Sequence, residues 1–284
     1  MKIERILAGI DFGPFTEEVI EYSSLFAEVF NASLNLLYVI DYLITPPTYL
    51  THYMEEEKRI AEEKFSELKK KLIDKGIKTK NRVIVGRLHE SFDAEIRKIN
   101  ADMLILGFMH HAVRRSSSEK LIKGLQMPML VVRGEKAGFS KKESIKIDKI
   151  LCPTDFSDTS GKALEVAKEL RDFFSSKLYV LNILPSYVIK KKMKKYKDYD
   201  RAIKELFEQT SISLNKFMKV HDIKDSGMIE QDEPDKRIVS FSVEKDIDLI
   251  VMGARGLSFI KGMIIGSVTD AVLKSSPCPV LVIH

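Results

Sequence analysis

Arg5-Ile6-Leu7-Ala8-Gly9-Ile10-Asp11-Phe12 returns later in the chain as Lys149-Ile150-Leu151-Cys152-Pro153-Thr154-Asp155-Phe156. Each stretch is a short apolar run that ends on an aspartate. Two further pairs follow in the same order. Asn100-Ala101-Asp102-Met103-Leu104-Ile105-Leu106-Gly107 matches Asp246-Ile247-Asp248-Leu249-Ile250-Val251-Met252-Gly253, and Pro128-Met129-Leu130-Val131-Val132 matches Pro279-Val280-Leu281-Val282-Ile283. Three matched segments in one order identify an internal duplication. The copies are expected over residues 1–134 and 148–284, joined by a Lys/Ser/Gly-rich linker over 135–147. A length of 284 residues suits two domains of ordinary size.

Inside each copy the periodicity alternates. Continuous apolar runs at Ile6–Ile10, Ser33–Val39, Asn81–Val85, Met103–Leu106 and Met129–Val132 read as strands buried on both faces, with counterparts in the second copy. Stripes at helical spacing lie between them. Val19, Ser23, Phe26 and Phe30 pair with Ala163, Val166, Leu170 and Phe173. Ile60, Lys64/Phe65, Leu68 and Leu72 pair with Ile203, Leu206/Phe207, Thr210, Leu214 and Phe217. Strands alternating with helices predict an α/β fold of two tandem doubly wound domains, each a five-stranded parallel sheet flanked by helices. Ligands of such sheets bind beyond the carboxyl ends of strands, where the strand order reverses.

The segment that carries chemistry is Gly253-Ala254-Arg255-Gly256, then nine residues, then Gly266-Ser267. It leaves the strand ending at Met252 and leads into a helix expected over Val268–Ser275. Glycine permits positive φ and close backbone approach, so such a loop can direct N–H groups at phosphate oxygens beside a helix N-terminus. Ser267 can cap that helix or reach a phosphate. Asp155 can meet a ribose hydroxyl or an amino group of a base, or can cap the helix expected near Ser157.

This arrangement resembles the universal stress protein family, whose nucleotide-binding members carry Gly-x-x-Gly, nine residues, Gly-Ser/Thr at this junction. Gly253, Gly256, Gly266 and Ser267 match position for position, and the resemblance covers the whole chain as a tandem pair. It implies an adenine nucleotide α-hydrolase-like fold and an ATP or AMP ligand, with Mg²⁺ accompanying ATP. It also implies Asp155, in Pro153-Thr154-Asp155, at the adenosine, and backbone groups near Ile183 at the adenine. Met252, Arg255, Val268 and Thr269 would complete the site around the loop. In the first copy Asp11, Val39 and Gly107 keep their places, but His110 stands for Gly256 and Arg115 for Gly266, and the loop is about five residues shorter. Ser116-Ser117-Ser118-Glu119 still forms a capping box. That copy has either lost its site or binds fewer phosphates through His110, His111, Arg114 and Arg115.

Other classes find little support. Neither Gly-x-x-x-x-Gly-Lys-Ser/Thr nor Gly-x-Gly-x-x-Gly occurs. His110-His111 lacks the cysteine or third histidine of a metal site, so no metal site is expected. His221-Asp222 stands alone, and the lysine-rich Lys190–Lys197 reads as a solvated face. The net charge of +5 is spread along the chain and does not point to nucleic acid. No apolar run is long enough for a bilayer, no secretory leader is visible, and two unpaired cysteines suit the cytoplasm. A nucleotide-binding stress-response or regulatory protein is the favoured function. The sequence shows no base beside the loop and no acid placed for Mg²⁺, so a slow ATPase or nucleotide-dependent transferase is the first alternative. A nucleotide-free interaction scaffold is the second.

In the resembled family the closing strand pairs with its counterpart across a dimer. Met129–Val132 and Val280–Ile283 are apolar and expected at sheet edges, where an unpaired edge invites pairing. The two copies are therefore expected to form an intramolecular pseudo-dimer, with homodimerisation beyond it. Separately expressed halves should associate when mixed, as read by light scattering. Halves that stay monomeric would contradict the expectation.

Overall fold

The computed structural model describes residues 2–41, 50–108, 117–133, 145–193, 199–225, 227–257 and 264–284. The chain divides into two compact units, Met1–Ile145 and Lys146–His284.

In the N-terminal unit the order is β1 (Arg5–Gly9), α1 (Thr16–Phe30), β2 (Ser33–Ile40), α2 (Leu50–Asp74), β3 (Thr79–Val85), α3 (Leu88–Ile99), β4 (Met103–Gly107), α4 (Ser117–Gly124) and β5 (Met129–Val132). Its strands lie in the order β3-β2-β1-β4-β5, and every neighbouring pair is parallel. The C-terminal unit repeats the plan with β6 (Lys149–Thr154), α5 (Asp158–Phe174), β7 (Lys177–Pro185), α6 (Ser186–Met193), α7 (Tyr199–Val220), β8 (Gly227–Asp232), α8 (Pro234–Glu244), β9 (Leu249–Gly253), α9 (Ser267–Ser275) and β10 (Val280–Ile283). Its order is β8-β7-β6-β9-β10, again parallel throughout. Each unit is thus doubly wound. The chain steps outward from its first strand and then returns to that strand's other side, opening a crevice between β1 and β4, and between β6 and β9.

The apolar runs are buried because helices cover both faces. Ile6, Leu7, Leu104 and Ile105 have no exposed surface, nor do Ile150, Leu151, Ile250 and Val251. Cys152, within β6, and Cys278, just before β10, are buried, and no disulfide joins them. The α1 stripe buries Val19, Ser23 and Phe26. The α5 stripe ends sooner than its spacing suggested. It buries Ala163, Val166 and Leu170, while Phe173 is 56% exposed because three further residues carry it past the edge of the packed face. In α2, Phe65 rather than Lys64 takes the buried position. Lys190–Lys197 begins in the last turn of α6, and its residues 194–197 lie outside the described residues.

One polar device recurs at the amino ends of the central strands. A carboxylate oxygen of Asp102 accepts from the backbone N–H of Glu4 and Arg5, both at 2.9 Å. The same oxygen of Asp248 accepts from Asp148 and Lys149, both at 3.0 Å. Each aspartate precedes the fourth strand of its unit and satisfies two amides that enter the first. It fixes the start of the pairing whose other end forms the crevice. Asp248→Ala should lower the unfolding free energy of the C-terminal unit by about 1–3 kcal/mol, since two charge-assisted bonds are lost. Urea denaturation of the variant against the parent measures this, and an unchanged midpoint would refute the role.

Candidate functional site

At the carboxyl end of β6 the chain turns through Phe156, whose φ of 68° lies in the left-handed region. That turn aims Asp155 across the crevice. One carboxylate oxygen accepts from the N–H of Ser157 at 3.1 Å and from its hydroxyl at 2.6 Å. The other accepts from the N–H of Leu257 at 2.8 Å, in the loop after β9. Ser157, not Asp155, is the N-cap of α5, its hydroxyl oxygen accepting from Ser160 N–H. Asp155 therefore ties the first-strand turn to the glycine loop.

The loop is braced on both sides. Ala254 N–H donates to Ile283 O and Gly266 N–H to Ala254 O, each at 2.7 Å. The Thr159 hydroxyl donates to Arg255 O, the Arg255 guanidinium donates through Nε to Ile264 O at 3.1 Å, and Thr269 Oγ1 donates to Gly253 O at 2.9 Å. Arg255 thus closes the loop on itself.

Of the two roles expected of the glycines, positive φ is not the one used, and space requires Gly253 and Gly256. Among the described glycines only Gly76 has positive φ. A Cβ on Gly256 would lie 2.3 Å from the Asp155 carboxylate, and one on Gly253 would crowd Thr159 at 3.0 Å. A Cβ on Gly266 would meet its nearest neighbour at 3.5 Å, an ordinary contact, so its missing side chain leaves open room before α9. Gly266, not Ser267, is the N-cap, with φ −73° and ψ 158°. Ser267 is the first helical residue, exposed, and its hydroxyl does not cap the helix. The first bond in the α9 ladder is Asp270 N–H to Gly266 O at 2.9 Å. The helix itself supplies no acceptor for the amides of Ser267, Val268 and Thr269, which sit at its positive end.

These groups line a cleft of about 380 Å³ that also takes in Pro153, Thr154, Ile183, Met252 and Gly253. Its far wall is Tyr187 and Val188 of α6, Thr210 of α7 and Ile238 of α8. Asn182, which sequence reasoning passed over, belongs to it. Asn182 is only 5% exposed, and its Nδ2 donates to Thr154 O at 2.8 Å. A carbonyl can only accept, so the amide nitrogen must face Thr154, and Oδ1 is left as an acceptor. Its position within the apolar run Leu178–Leu184 gave no signal of this.

The N-terminal unit keeps the frame and changes the lining. Asp11 Oδ1 accepts from Gly13 N–H at 2.8 Å and from the Thr16 hydroxyl at 3.5 Å. The Ser118 hydroxyl donates to Gly107 O at 2.5 Å, as Thr269 does to Gly253. Strand register pairs Ala8 with Leu36 and Cys152 with Val180, so Tyr38 stands where Asn182 does. The Tyr38 hydroxyl donates to Glu57 at 2.7 Å, and burial together with that carboxylate pushes the phenol well above its ordinary range. Phe15 takes the place of Thr159 beside the glycine that ends the fourth strand. The resulting cleft, about 250 Å³, is lined by Asp11, Asp41, Glu57, Val39 and Gly107 among others. Of the expected loop residues, His110, His111, Arg114, Arg115 and Ser116 lie outside the described residues, and Ser117 begins α4.

Two matches to the model of the universal stress protein family cover residues 2–133 and 146–284. The chain belongs to the universal stress protein family. A universal stress protein of Methanocaldococcus jannaschii is 28% identical over 158 residues, 49% of this chain and 96% of that protein. A second from the same organism is 30% identical over 138 residues, 48% of this chain and 81% of that protein. Each of these relatives corresponds to about half of this tandem chain. A solved universal stress protein of Archaeoglobus fulgidus shares the fold at TM-score 0.74 and 23% identity, over 99% of this chain and 96% of that one. Among the described residues no helix is long and apolar enough to cross a membrane.

In this universal stress protein His284 lies close enough to the loop to feel Arg255. Burial, aided by the charges of Arg255 and Lys162, pushes its imidazole down from 6.5 to about 4, and its Nε2 is buried without a hydrogen-bond partner. The unfolded chain takes up this proton near 6.5, whereas the folded chain resists until about 4. Stability should therefore fall as pH drops from 6.5 towards 4. Thermal unfolding of His284→Leu should show a shallower decline over that window than the parent. Parallel pH profiles would exclude the histidine as a source.

Proposed function

We propose that the C-terminal unit binds an adenine nucleotide, ATP or AMP, and that the protein is a nucleotide-dependent stress-response or regulatory protein. The observation that carries this reading is the start of α9. Three successive amides outside the helical ladder meet a cleft of about 380 Å³, at a point where Gly266 leaves the space clear. A helix N-terminus with free N–H groups favours phosphate. The Ser267 hydroxyl adds a donor. Asp155 and the Asn182 acceptor suit the hydroxyls and amino groups of a nucleoside, and the apolar wall of α6 and α8 suits a base. With ATP, Mg²⁺ would neutralise phosphate charge. Binding is favoured over catalysis because no described side chain in this cleft is placed as a general base beside the phosphate end. The two buried cysteines, not joined in a disulfide, fit a reducing, cytoplasmic setting.

The two clefts are proposed to differ in strength. Described residues at the N-terminal cleft include Asp11, Asp41 and Glu57, a lining that repels phosphate, and the room near Gly107 is taken by Phe15. The N-terminal site is accordingly weak, limited to a monophosphate, or lost.

Calorimetric titration of ATP should show one tight site per chain. Gly266→Val should weaken it by roughly two orders of magnitude, as expected if access to two or more charge-assisted amide contacts is blocked, with circular dichroism unchanged. Asp155→Ala should remove tight binding, and Asp11→Ala should leave it intact. Undiminished affinity in Gly266→Val, two equal ATP sites, or loss of the tight site through Asp11 alone would overturn the assignment.

A further inference from the structure

A second cavity, larger than the C-terminal cleft, lies apart from it. It is a groove of about 1010 Å³ in the N-terminal unit, beneath the amino ends of β1, β2 and β3 and beside the end of α3. We infer that this groove is a second anion site, for a small multiply charged phosphate compound, held by an oriented arginine and three lysines.

The duplicated chain supplies its own comparison. Asp102 and Asp248 occupy equivalent positions, so Glu95 corresponds to Phe241 and Lys98 to Glu244. Strand register pairs Asn35 with Lys80 and Leu37 with Arg82, while Leu181 pairs with Met228. Asn35 therefore corresponds to Tyr179, and Arg82 to Met228. In the C-terminal unit Tyr179 and Phe241 pack edge to face at 5.7 Å and fill this face of the sheet. In the N-terminal unit both rings are absent, and the space is open.

What replaces the rings is organised. The Glu95 carboxylate is nine-tenths buried and accepts from Arg82 Nη1 at 2.6 Å. A buried carboxylate that grips one edge of a guanidinium fixes its plane and leaves its other N–H groups to face outward. The Arg82 side chain is 45% exposed at the groove. This is how an arginine is set for bidentate contact with a phosphate. Lys80 lies two residues before Arg82 on the same strand face, and Lys98 lies one turn beyond Glu95 on the same helix face. With Lys78 at the entry to β3, these ammonium groups make no ion pair among the described residues. The acid in its lining, Glu95, is engaged by Arg82, and the nearby Asp102 accepts from the Glu4 and Arg5 amides with the Arg5 guanidinium near. Edge lysines alone would serve to discourage strand pairing. They do not account for a buried acid orienting an arginine where the sister unit packs two rings.

The test uses the full-length Gly266→Val protein, so that the C-terminal phosphate end is blocked, and inorganic triphosphate as probe. Calorimetry should show binding that weakens as salt rises. Lys80→Glu with Lys98→Glu should weaken it by about tenfold or more. Asn35→Tyr with Glu95→Phe, which restores the rings of the sister unit, should remove it. Lys216→Glu with Lys219→Glu, an equal charge change on the exposed face of α7, should leave it unaltered. Absence of binding, an equal loss in the α7 control, or full binding after Lys80 and Lys98 are reversed would overturn the inference. The lysine variants keep the test decisive if the ring-restoring pair does not fold. None of these outcomes bears on the C-terminal site, which is read by ATP in the parent protein.

Discussion

The Asp155 carboxylate joins two parts of the C-terminal unit that are 102 residues apart in the chain. One oxygen holds the turn that leaves β6, and the other holds the loop that leaves β9. Those two strands flank the point where the sheet reverses its order, so this anion, with the Thr159 hydroxyl beside it, ties the two sides of the cleft together. Its demands spread outward. Phe156 must adopt a left-handed conformation to aim it, Gly256 must lack a side chain to admit it, and Ser157 serves both as its donor and as the cap of α5.

The two units show which features belong to the fold and which to each cleft. Both retain the strand-entry aspartates and the hydroxyl of the last helix that donates to the glycine ending the fourth strand. Both also carry an acid–lysine pair one turn apart on that helix, Glu119 with Lys123 and Asp270 with Lys274. These contacts satisfy backbone groups or stabilise a helix, and any copy of the fold needs them. The clefts diverge instead. Asn182 and Thr159 in one unit stand against Tyr38 and Phe15 in the other, and each exchange alters what a ligand would touch while the frame persists.

Much of this architecture was legible because buried parallel strands impose continuous apolar runs, and the duplication shows each run twice. The doubly wound plan followed from that alternation. The site was legible only in outline. Gly253, Gly256, Gly266 and Asp155 announced a loop and an acid, but the reason for Gly253 and for Gly256 is a neighbour distant in sequence, Thr159 beside the one and Asp155 beneath the other. Spacing cannot reveal that. Asn182 was invisible for the opposite reason, since a polar residue inside an apolar strand carries no mark until its partner, the Thr154 carbonyl, is seen. The capping role expected of Ser267 fell to Gly266 because the helix begins one residue earlier than its apolar pattern. Phe173 misled because an aromatic in step with a stripe looks buried even where the packed face has ended.

The two cysteines have a use unrelated to the cleft. Both lie in the C-terminal unit, both are buried, and the N-terminal unit has none. Burial pushes the Cys152 thiol far above its ordinary range, so it does not react as a thiolate while β6 is packed. Alkylation then requires that the strand open first. The speed at which a thiol reagent labels the protein becomes a clock for opening of one half of the chain alone, without any introduced probe. A tandem protein seldom offers so direct a way to follow one of its repeats while the other stays silent.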